Sequence, residues 1–452
     1  VWRDQKNGSD DIIEVQNVNL SGVSLQDNGQ EVFYGQDGNA FISSSIEFSD
    51  GETLVAWEDQ RFFSTGNPGC YTYGLLVDQY FNSGSHDNSV PLSLNLYQGP
   101  HDENYQFRAK MSKIGNSIMM NFNQYFEGYS QYIQMLDNDL NILGSNTGTP
   151  VDLDGYDQPY SALCESGGSF YIAYTNLTDG YGINLQKYNS SGLELWNSPV
   201  NIVEASFGDN LVREIVPFDG GVAIIFETAS FLGTELKVIF VGSNAEVLSE
   251  HAWCDNCDNP QYESYAKGDD EFIVTFKNSS ESLGSGVYAQ VFSYAGEMLE
   301  GEEGTVVSDA VNDQRESDIT YNSVFDEYLA CWDDSRELSI IGYECDQTQT
   351  QYDSLASCES NCESACSNLE AIDKNVLCAR ITYDEELSVS EEIEVASIDV
   401  TAQESPSVFS TKSGTYMIAW QDMRNAVDID QSLNLSFEWD AYYQEINSNG
   451  IV

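Results

Sequence analysis

An all-β chain closed as a β-propeller of seven or eight four-stranded antiparallel blades, with a short Cys-rich helical insert, is the fold class this sequence predicts. Three observations predict it. A degenerate unit recurs along the whole 452-residue chain. Inside each unit, β-branched and aromatic runs alternate with polar residues and end in Gly, Asn, Asp or Ser turns, the signature of hairpins rather than helices. The unit also holds about four strand candidates in about 50 residues, the content of one propeller blade.

The copies read "VWRDQKNGSDDIIEVQNVNLSG" (1–22), "TLVAWEDQR" opening 53–84, "SIMMNFNQYFEGYSQYIQMLDNDLNILG" (117–144) and "FYIAYTNLTDGYGINLQKYNSSG" (170–192). They continue with "VAIIFETASFLGTELKVIFVGSNAE" (222–246), "FIVTFKNSSESLGSGVYAQVFSYAG" (272–296), "YLACWDD" opening 328–386 and "YMIAWQDMR" opening 416–450. Upstream of most hairpins Gln106, Gln158, Gln261, Gln314 and Gln403 introduce a further strand; stretches such as "SPVNIVE" (198–204) and "EEIEVAS" (391–397) supply a last one. A tandem array of β-sandwiches is the alternative, but it needs a separate core every 100 residues or so, and the repeats do not alternate at that doubled period. The chain therefore reads as one propeller over 1–452, with residues 335–375 as a Cys-rich insert between the second and third strands of the seventh repeat. The first repeat opens at its second strand and the eighth stops after its third. The incomplete ends either share one blade or leave a gap that a neighbouring molecule fills by strand addition.

Charge narrows the function classes. Against 74 Asp and Glu there are 17 Lys and Arg, a formal −57. Clustered cations carry binding to phosphate backbones and anionic headgroups, so nucleic acid and direct membrane insertion are disfavoured as partners. Solubility, salty surroundings, divalent cations or basic partners remain. Ten cysteines in an acidic, Asn- and Tyr-rich chain point to disulfides and a secreted or cell-surface protein. No run of about 18 apolar residues offers a membrane span. Starting at Val1, the chain reads as a mature or trimmed product. Sequons at Asn7, Asn19, Asn176, Asn189, Asn278 and Asn434 permit glycosylation, at a number near chance for this composition.

One string recurs with chemistry in it: Trp57-Asp59-Arg61, Trp332-Asp334-Arg336, Trp420-Asp422-Arg424, and Trp2-Asp4 with Lys6 in place of Arg. The Trp ends a buried strand, the Asp caps the turn with its carboxylate, and the Arg forks onto that carboxylate or one next door. These roles are structural. Repeats with Tyr174, Phe226 or Phe276 in the Trp position, and Asn176 or Asn278 near the Asp position, keep the packing while changing the chemistry. Together with "VYAQVFSYAG" at 287–296, the string resembles the degenerate repeats of secreted propeller-like proteins in which W-x-D-x-R ends one strand and YAQ begins the next. The resemblance implies an architecture. Members of such groups are mostly of unassigned or adhesive function, so it implies little about activity. In a closed ring the Trp-bearing first, second, seventh and eighth repeats form one sector, which also carries the long hairpin loops at 59–73, 335–375 and 422–439.

Among the cysteines, Cys358, Cys362 and Cys366 recur every four residues, the spacing of one helix face, where they are badly placed to bond each other. Their expected partners are Cys345 and Cys70 on loops. Cys331 and Cys378 sit on neighbouring strands and suit a cross-strand bridge, Cys254 and Cys257 suit a small closed loop, and Cys164 completes the candidates. Zinc or iron–sulfur ligation is the alternative, at a spacing that matches no standard ligand set. Asp152, Asp154 and Asp157 in "DLDGYD" make a fragment of a calcium loop without its distal bidentate Glu, so calcium is the one cofactor the sequence offers.

Catalysis finds little support. His86, His101 and His251 stand in unrelated contexts, and there is no phosphate loop or GxSxG elbow. A glycosidase needs only two carboxylates, which 74 acids cannot exclude. The expectation is a non-catalytic extracellular structural or interaction protein, a candidate subunit of a surface filament, sheath or appendage, partnered by itself, another extracellular protein or a glycan. An adhesive or glycan-binding propeller using Phe62, Phe63, Tyr71, Phe437 and Trp439 is the alternative, and a glycan-processing enzyme comes last.

Overall fold

The longest apolar run of each repeat becomes the second strand of an antiparallel meander. The computed structural model describes the chain apart from residues 1, 7–9, 16–29, 35–39, 48–52, 60–68, 78–89, 92–103, 126–128, 146–147, 153–157, 179, 206–207, 232, 255–256, 281–283, 346–350, 353–354, 363–365, 397–402, 423–439, 448–449 and 452. Contacts divide it into two units, residues 1–255 with 294–297, and residues 256–293 with 298–452.

The first unit opens with a three-stranded sheet, Trp2–Lys6, Asp10–Val15 and Gln30–Tyr34. Repeats 2 and 3 follow as two meanders, one led by Ala40–Glu47, Thr53–Asp59 and Gly69–Val77, the other by Asn104–Ile114, Ser117–Tyr125 and Tyr129–Asp137. A short parallel pairing, Gly69 with Asn104 and Cys70 with Tyr105, joins them edge to edge. Repeats 4 and 5 are four-stranded: Ser161–Ser166, Ser169–Asn176, Gly182–Tyr188, Val200–Val203, then Asp209–Phe218, Gly221–Ser230, Gly233–Gly242, Val247–Trp253.

In the second unit, repeat 6 is Asp258–Lys267, Glu271–Ser280, Gly284–Ser293, Thr305–Ser308, and repeat 8 is Gln403–Ser410, Tyr416–Asp422, Asp440–Asn447, Gly450–Ile451. The short last pairing of repeat 8, Ile446 with Ile451 and Asn447 with Gly450, corrects the expectation that this repeat stops after its third strand. Repeat 7 is built on Gln314–Asn322, Glu327–Cys345, Cys366–Asp384 and Glu386–Val389. The result is an all-β architecture of repeated four-stranded antiparallel sheets, consistent with a propeller.

Packing decides against tandem sandwiches. Successive residues of a strand face opposite sides of its sheet. In repeat 4, Phe170, Ile172 and Tyr174 cluster with Met119, Ile133 and Met135 of repeat 3, while Tyr171 and Ala173 cluster with Val222, Ile224 and Phe226 of repeat 5. Repeat 7 does the same between its own neighbours: Tyr328, Ala330 and Trp332 join Ile273 and Ala289 of repeat 6, and Leu329 and Cys331 join Val408, Tyr416 and Ile418 of repeat 8. A sandwich leaves one face of each sheet to water. Here both faces of the middle sheets are covered, and each large side chain so buried contributes about 1.5–3 kcal/mol.

The seventh repeat departs from expectation in its insert. Residues 335–375 are mostly not a loop: the second and third strands continue through the segment as one ribbon, paired from Tyr328 with Ile381 out to Cys345 with Cys366. Among the described residues of the segment only Leu355–Asn361 is helical. So Cys358, Cys362 and Cys366 do not share a helix face, and Cys358 bonds Cys366 directly, at a Cα separation of 6.2 Å. The physical reason is that a helix this short has no stability of its own, and the strand ladder captures Cys366 instead. Cys362 is also disulfide-bonded, as are Cys254 and Cys257. Cys70 and Cys345 lie in strands, not loops. The cross-strand bridge is as expected, with Cys331 and Cys378 directly opposed and bonded at a Cα separation of 4.0 Å. Cys164 is a thiol buried in the core beside Tyr171 and Val212.

Phe226 is fully buried at the repeat 4 to repeat 5 junction. Phe226→Ala is expected to lower the unfolding free energy by about 3–5 kcal/mol, read as a reduced denaturant midpoint at unchanged slope.

Candidate ligand-binding cleft

In repeats 7 and 8 the Gln that introduces the repeat is the cross-strand partner of the Asp in W-x-D. Gln314 stands opposite Asp334 and Gln403 opposite Asp422, and both Gln side chains are buried. The Gln314 amide donates to the carbonyls of Ser285 and Ala310 at 3.0 Å, tying repeat 7 to the third strand of repeat 6. Gln158 does the equivalent one unit earlier, its Oε1 accepting the Gln131 N–H at 2.9 Å.

Immediately after this Gln the first strand bulges. The register shifts between Phe107 and Lys110, Arg315 and Asp318, and Glu404 and Ser407, and in each bulge the second residue after Gln is left-handed: Arg108 (φ 54), Glu316 (φ 52) and Ser405 (φ 52). A bulge inserts an unpaired residue and re-aims its side chain. In the second unit the first strands of repeats 6, 7 and 8 lie side by side, so their polar starts meet around a cleft of about 590 Å³.

Carboxylates span the cleft from strand to strand. Glu263 Oε1 accepts the Glu316 N–H at 2.8 Å, and its Oε2 accepts the Ser317 N–H at 2.9 Å together with the Ser317 hydroxyl. Asp318 repeats the device one strand on: Oδ1 accepts from Ser264 Oγ at 2.7 Å, and Oδ2 accepts from Val408 N at 2.9 Å and Ser407 Oγ at 3.2 Å. Ser405 Oγ donates to Glu316 Oε2 at 2.6 Å. Burial holds the Glu263 carboxyl above its ordinary range, against the opposing pull of Ser317, the Glu316 N–H and Lys277. Tyr262, Lys277 and the partly exposed Arg315 complete the wall.

Behind Arg315 lies Asp333, its register partner, fully buried, with Oδ2 3.4 Å from Arg315 Nε and Oδ1 without a hydrogen bond. Burial, and then the negative charge of Glu316, push its carboxyl up to about 7, against Arg315 and Lys374.

The W-x-D-x-R string resolves as a packing and charge network. Trp332 and Asp334 share one face of their strand, and the indole Nε1–H donates to Asp334 Oδ2 at 3.3 Å. Trp420 repeats this with Asp422 at 3.2 Å. Arg336 forks onto Asp334, with Nε to Oδ1 at 2.8 Å and Nη2 to Oδ2 at 2.6 Å, and forks again onto Glu392 at 2.6 and 2.8 Å. Hydrogen bonding to Arg336 pulls the Glu392 carboxyl below its ordinary range. Trp57 is fully buried, and Trp2, Asp4 and Asp59 lie in strands. Arg61, Arg424, Asp154, Asp157, Asn7, Asn19, Asn434, Phe62, Phe63, Phe437, Trp439, His86 and His101 lie outside the described residues.

Of the remaining sequence candidates, Asp152 accepts a hydrogen bond from the Tyr174 hydroxyl at 3.1 Å. Asn176 is buried, with Oδ1 taken by the Thr178 N–H, which leaves its amide ill placed to carry a glycan. Asn189 and Asn278 are partly exposed, and each caps a backbone N–H with its side-chain oxygen. Sequence reasoning missed Glu263, Glu316, Asp318 and Asp333. The signal was present: "QYES" at 261–264 and "QRES" at 314–317 repeat the same four-residue start.

No protein-family model matches the chain, and no curated protein matches it. Among solved structures it is similar to a subtype N11 neuraminidase-like protein of influenza A from flat-faced bat (8% identity, TM-score 0.35, covering 80% of this chain and 95% of that one). It is also similar to a protein of unknown function from Dyadobacter fermentans (11% identity, TM-score 0.40, 65% and 90% covered) and to prolyl oligopeptidase B from Galerina marginata (11%, 0.44, 89% and 49%). The fold assignment rests on the sheets themselves.

Two predictions follow from the geometry. Asp333 holds its proton in the folded state up to about pH 7, but an unfolded Asp loses it near pH 4. The stabilisation is therefore complete at the low end of that window and lost as pH rises through about 7. Chemical unfolding should show wild type losing roughly 1–3 kcal/mol between pH 5 and pH 8, and Asp333→Asn should flatten that slope. Arg336→Lys cannot fork onto both carboxylates and should cost about 1–2 kcal/mol in the same measurement.

Proposed function

We propose that this chain is a non-catalytic extracellular interaction protein, and that the serine- and acid-rich cleft of its second unit binds a hydroxyl-rich ligand of the glycan class. The observation that carries the reading is the engagement of the cleft carboxylates. A glycosidase holds one carboxyl as acid and another as base or nucleophile, both facing the substrate. Glu263 and Asp318 instead accept backbone N–H and hydroxyl donors from the neighbouring strand. Carboxylates committed in this way support the reading of a shaped binding surface.

The rest of the lining supports the glycan class. Lys277 and Arg315 present donors, Tyr262 offers an aromatic ring to the apolar face of a sugar, and the oxygens of Ser264, Ser405 and Ser407, whose protons go to Asp318 and Glu316, remain as acceptors. The bonded cysteines fit an oxidising compartment.

A glycan array probed with the purified chain should return hits that Tyr262→Ala and Lys277→Ala each weaken by about tenfold, at unchanged thermal midpoint. An array without hits overturns the ligand class. Release of reducing sugar from a bound glycan overturns the non-catalytic assignment.

A further inference from the structure

The far end of the repeat 7 ribbon gathers sulfur beyond what a staple requires. Cys345 and Cys366 close the ladder as register partners, and the helix between them carries Cys358, buried, with the Cys362 N–H donating to the Cys358 carbonyl at 2.8 Å. The Sγ atoms of Cys358, Cys362 and Cys366 all lie within 4.8 Å of one another. Cys358 and Cys366 share one disulfide and Cys362 belongs to a second, so two disulfides abut. Staples that restrict the unfolded chain work best when they close separate loops. Crowding three sulfurs into one spot adds little of that kind.

The same spacing suits a metal. Thiolates at about 2.3 Å from a tetrahedral zinc ion stand about 3.8 Å apart, so once their disulfide is reduced Cys358 and Cys366 need only part by about 2 Å, and no sulfur of the three lies more than about 1 Å beyond that spacing. The electrostatics point the same way: residues 344–370 contain Glu344, Asp346, Asp353, Glu359, Glu363 and Glu370 and no Lys, Arg or His. In a chain of formal charge −57 this tip draws cations.

We infer that the ribbon tip is a redox-gated site for a soft divalent cation of the zinc class, held by Cys358, Cys362 and Cys366, with the fourth position left to solvent. This function is independent of the cleft. Opening the site takes a dithiol reductant: each disulfide accepts two electrons and two protons, and each reductant molecule leaves as its cyclic disulfide. The cation then binds the thiolates as their protons depart. Reoxidation returns two electrons per disulfide to an oxidant and expels the ion.

The test uses the full chain, reduced anaerobically and titrated with Co²⁺. One equivalent should bind with the intense sulfur-to-cobalt charge-transfer and visible bands of a tetrahedral thiolate site, and Zn²⁺ should displace it. Cys362→Ser should weaken binding at least tenfold. The Cys331→Ala, Cys378→Ala double variant, which removes the disulfide at the ribbon's root, should keep the spectrum; it also controls for folding, checked by far-ultraviolet circular dichroism. A disulfide oxidant should then release the cobalt stoichiometrically to a chromogenic chelator. The inference is overturned if reduced wild type binds cobalt no better than the Cys358→Ser, Cys362→Ser, Cys366→Ser triple variant, or if the ion stays bound once all thiols are oxidised.

Discussion

A central strand that is apolar on both faces obliges its sheet to find two partners. Runs such as "FYIAY" and "YLACW" cannot leave a face to water, so the sheets of repeats 4 and 7 are each packed by the one before and the one after within their unit. Everything else in this chain is arranged around that requirement. The Trp, Tyr and Phe side chains supply the area, the third and fourth strands complete the sheet outward, and polar residues are left to the strand starts. Trp obeys the same rule at a cost, because its indole N–H must be satisfied in the core. The Asp two residues on, sharing the same strand face, accepts it in repeats 7 and 8.

The strand starts are where packing relaxes and polar chemistry concentrates. Gln158 and Gln314 tie their repeats to the preceding sheet, and the bulge after the Gln of repeats 3, 7 and 8 frees side chains from the ladder. Where three such starts adjoin in the second unit, acidic residues bridge them. An acid in that setting has two fates, and both occur. Glu263 and Asp318 meet donors from the next strand, whereas Asp333, one layer behind, has an unfilled oxygen and keeps its proton. The contrast explains why a cleft lined with carboxylates reads as a shaped surface.

Strand content and repeat boundaries were legible in the sequence because burial on both faces leaves an uninterrupted apolar run, the strongest pattern a strand can write. The bulges were not legible, since a one-residue insertion in a polar strand start leaves no trace in periodicity. "QYES" and "QRES" pass for ordinary turn residues until the first strands are placed side by side. The cysteines misled for a related reason: a four-residue spacing is a helix signal only if the helix persists, and here the ladder claimed Cys366 after two turns of helix. In "WDD" nothing in the letters tells which carboxylate goes inward; strand parity sends Asp334 to the Trp side and Asp333 to the other.

The ribbon of repeat 7 also has a mechanical meaning. From Glu337 to Cys345 it extends for about 30 Å beyond the blade, at about 3.3 Å per residue. Its root is fixed by the doubly forked Arg336 and, at the fourth pair further in, by the covalent link between Cys331 and Cys378. A force that parts the two strands at the tip can unzip the ladder pair by pair, but only until it reaches that link. The ribbon therefore behaves as a mast with a built-in arrest: it can yield under load and reform, and the tear stops before it enters the core between repeats 7 and 8.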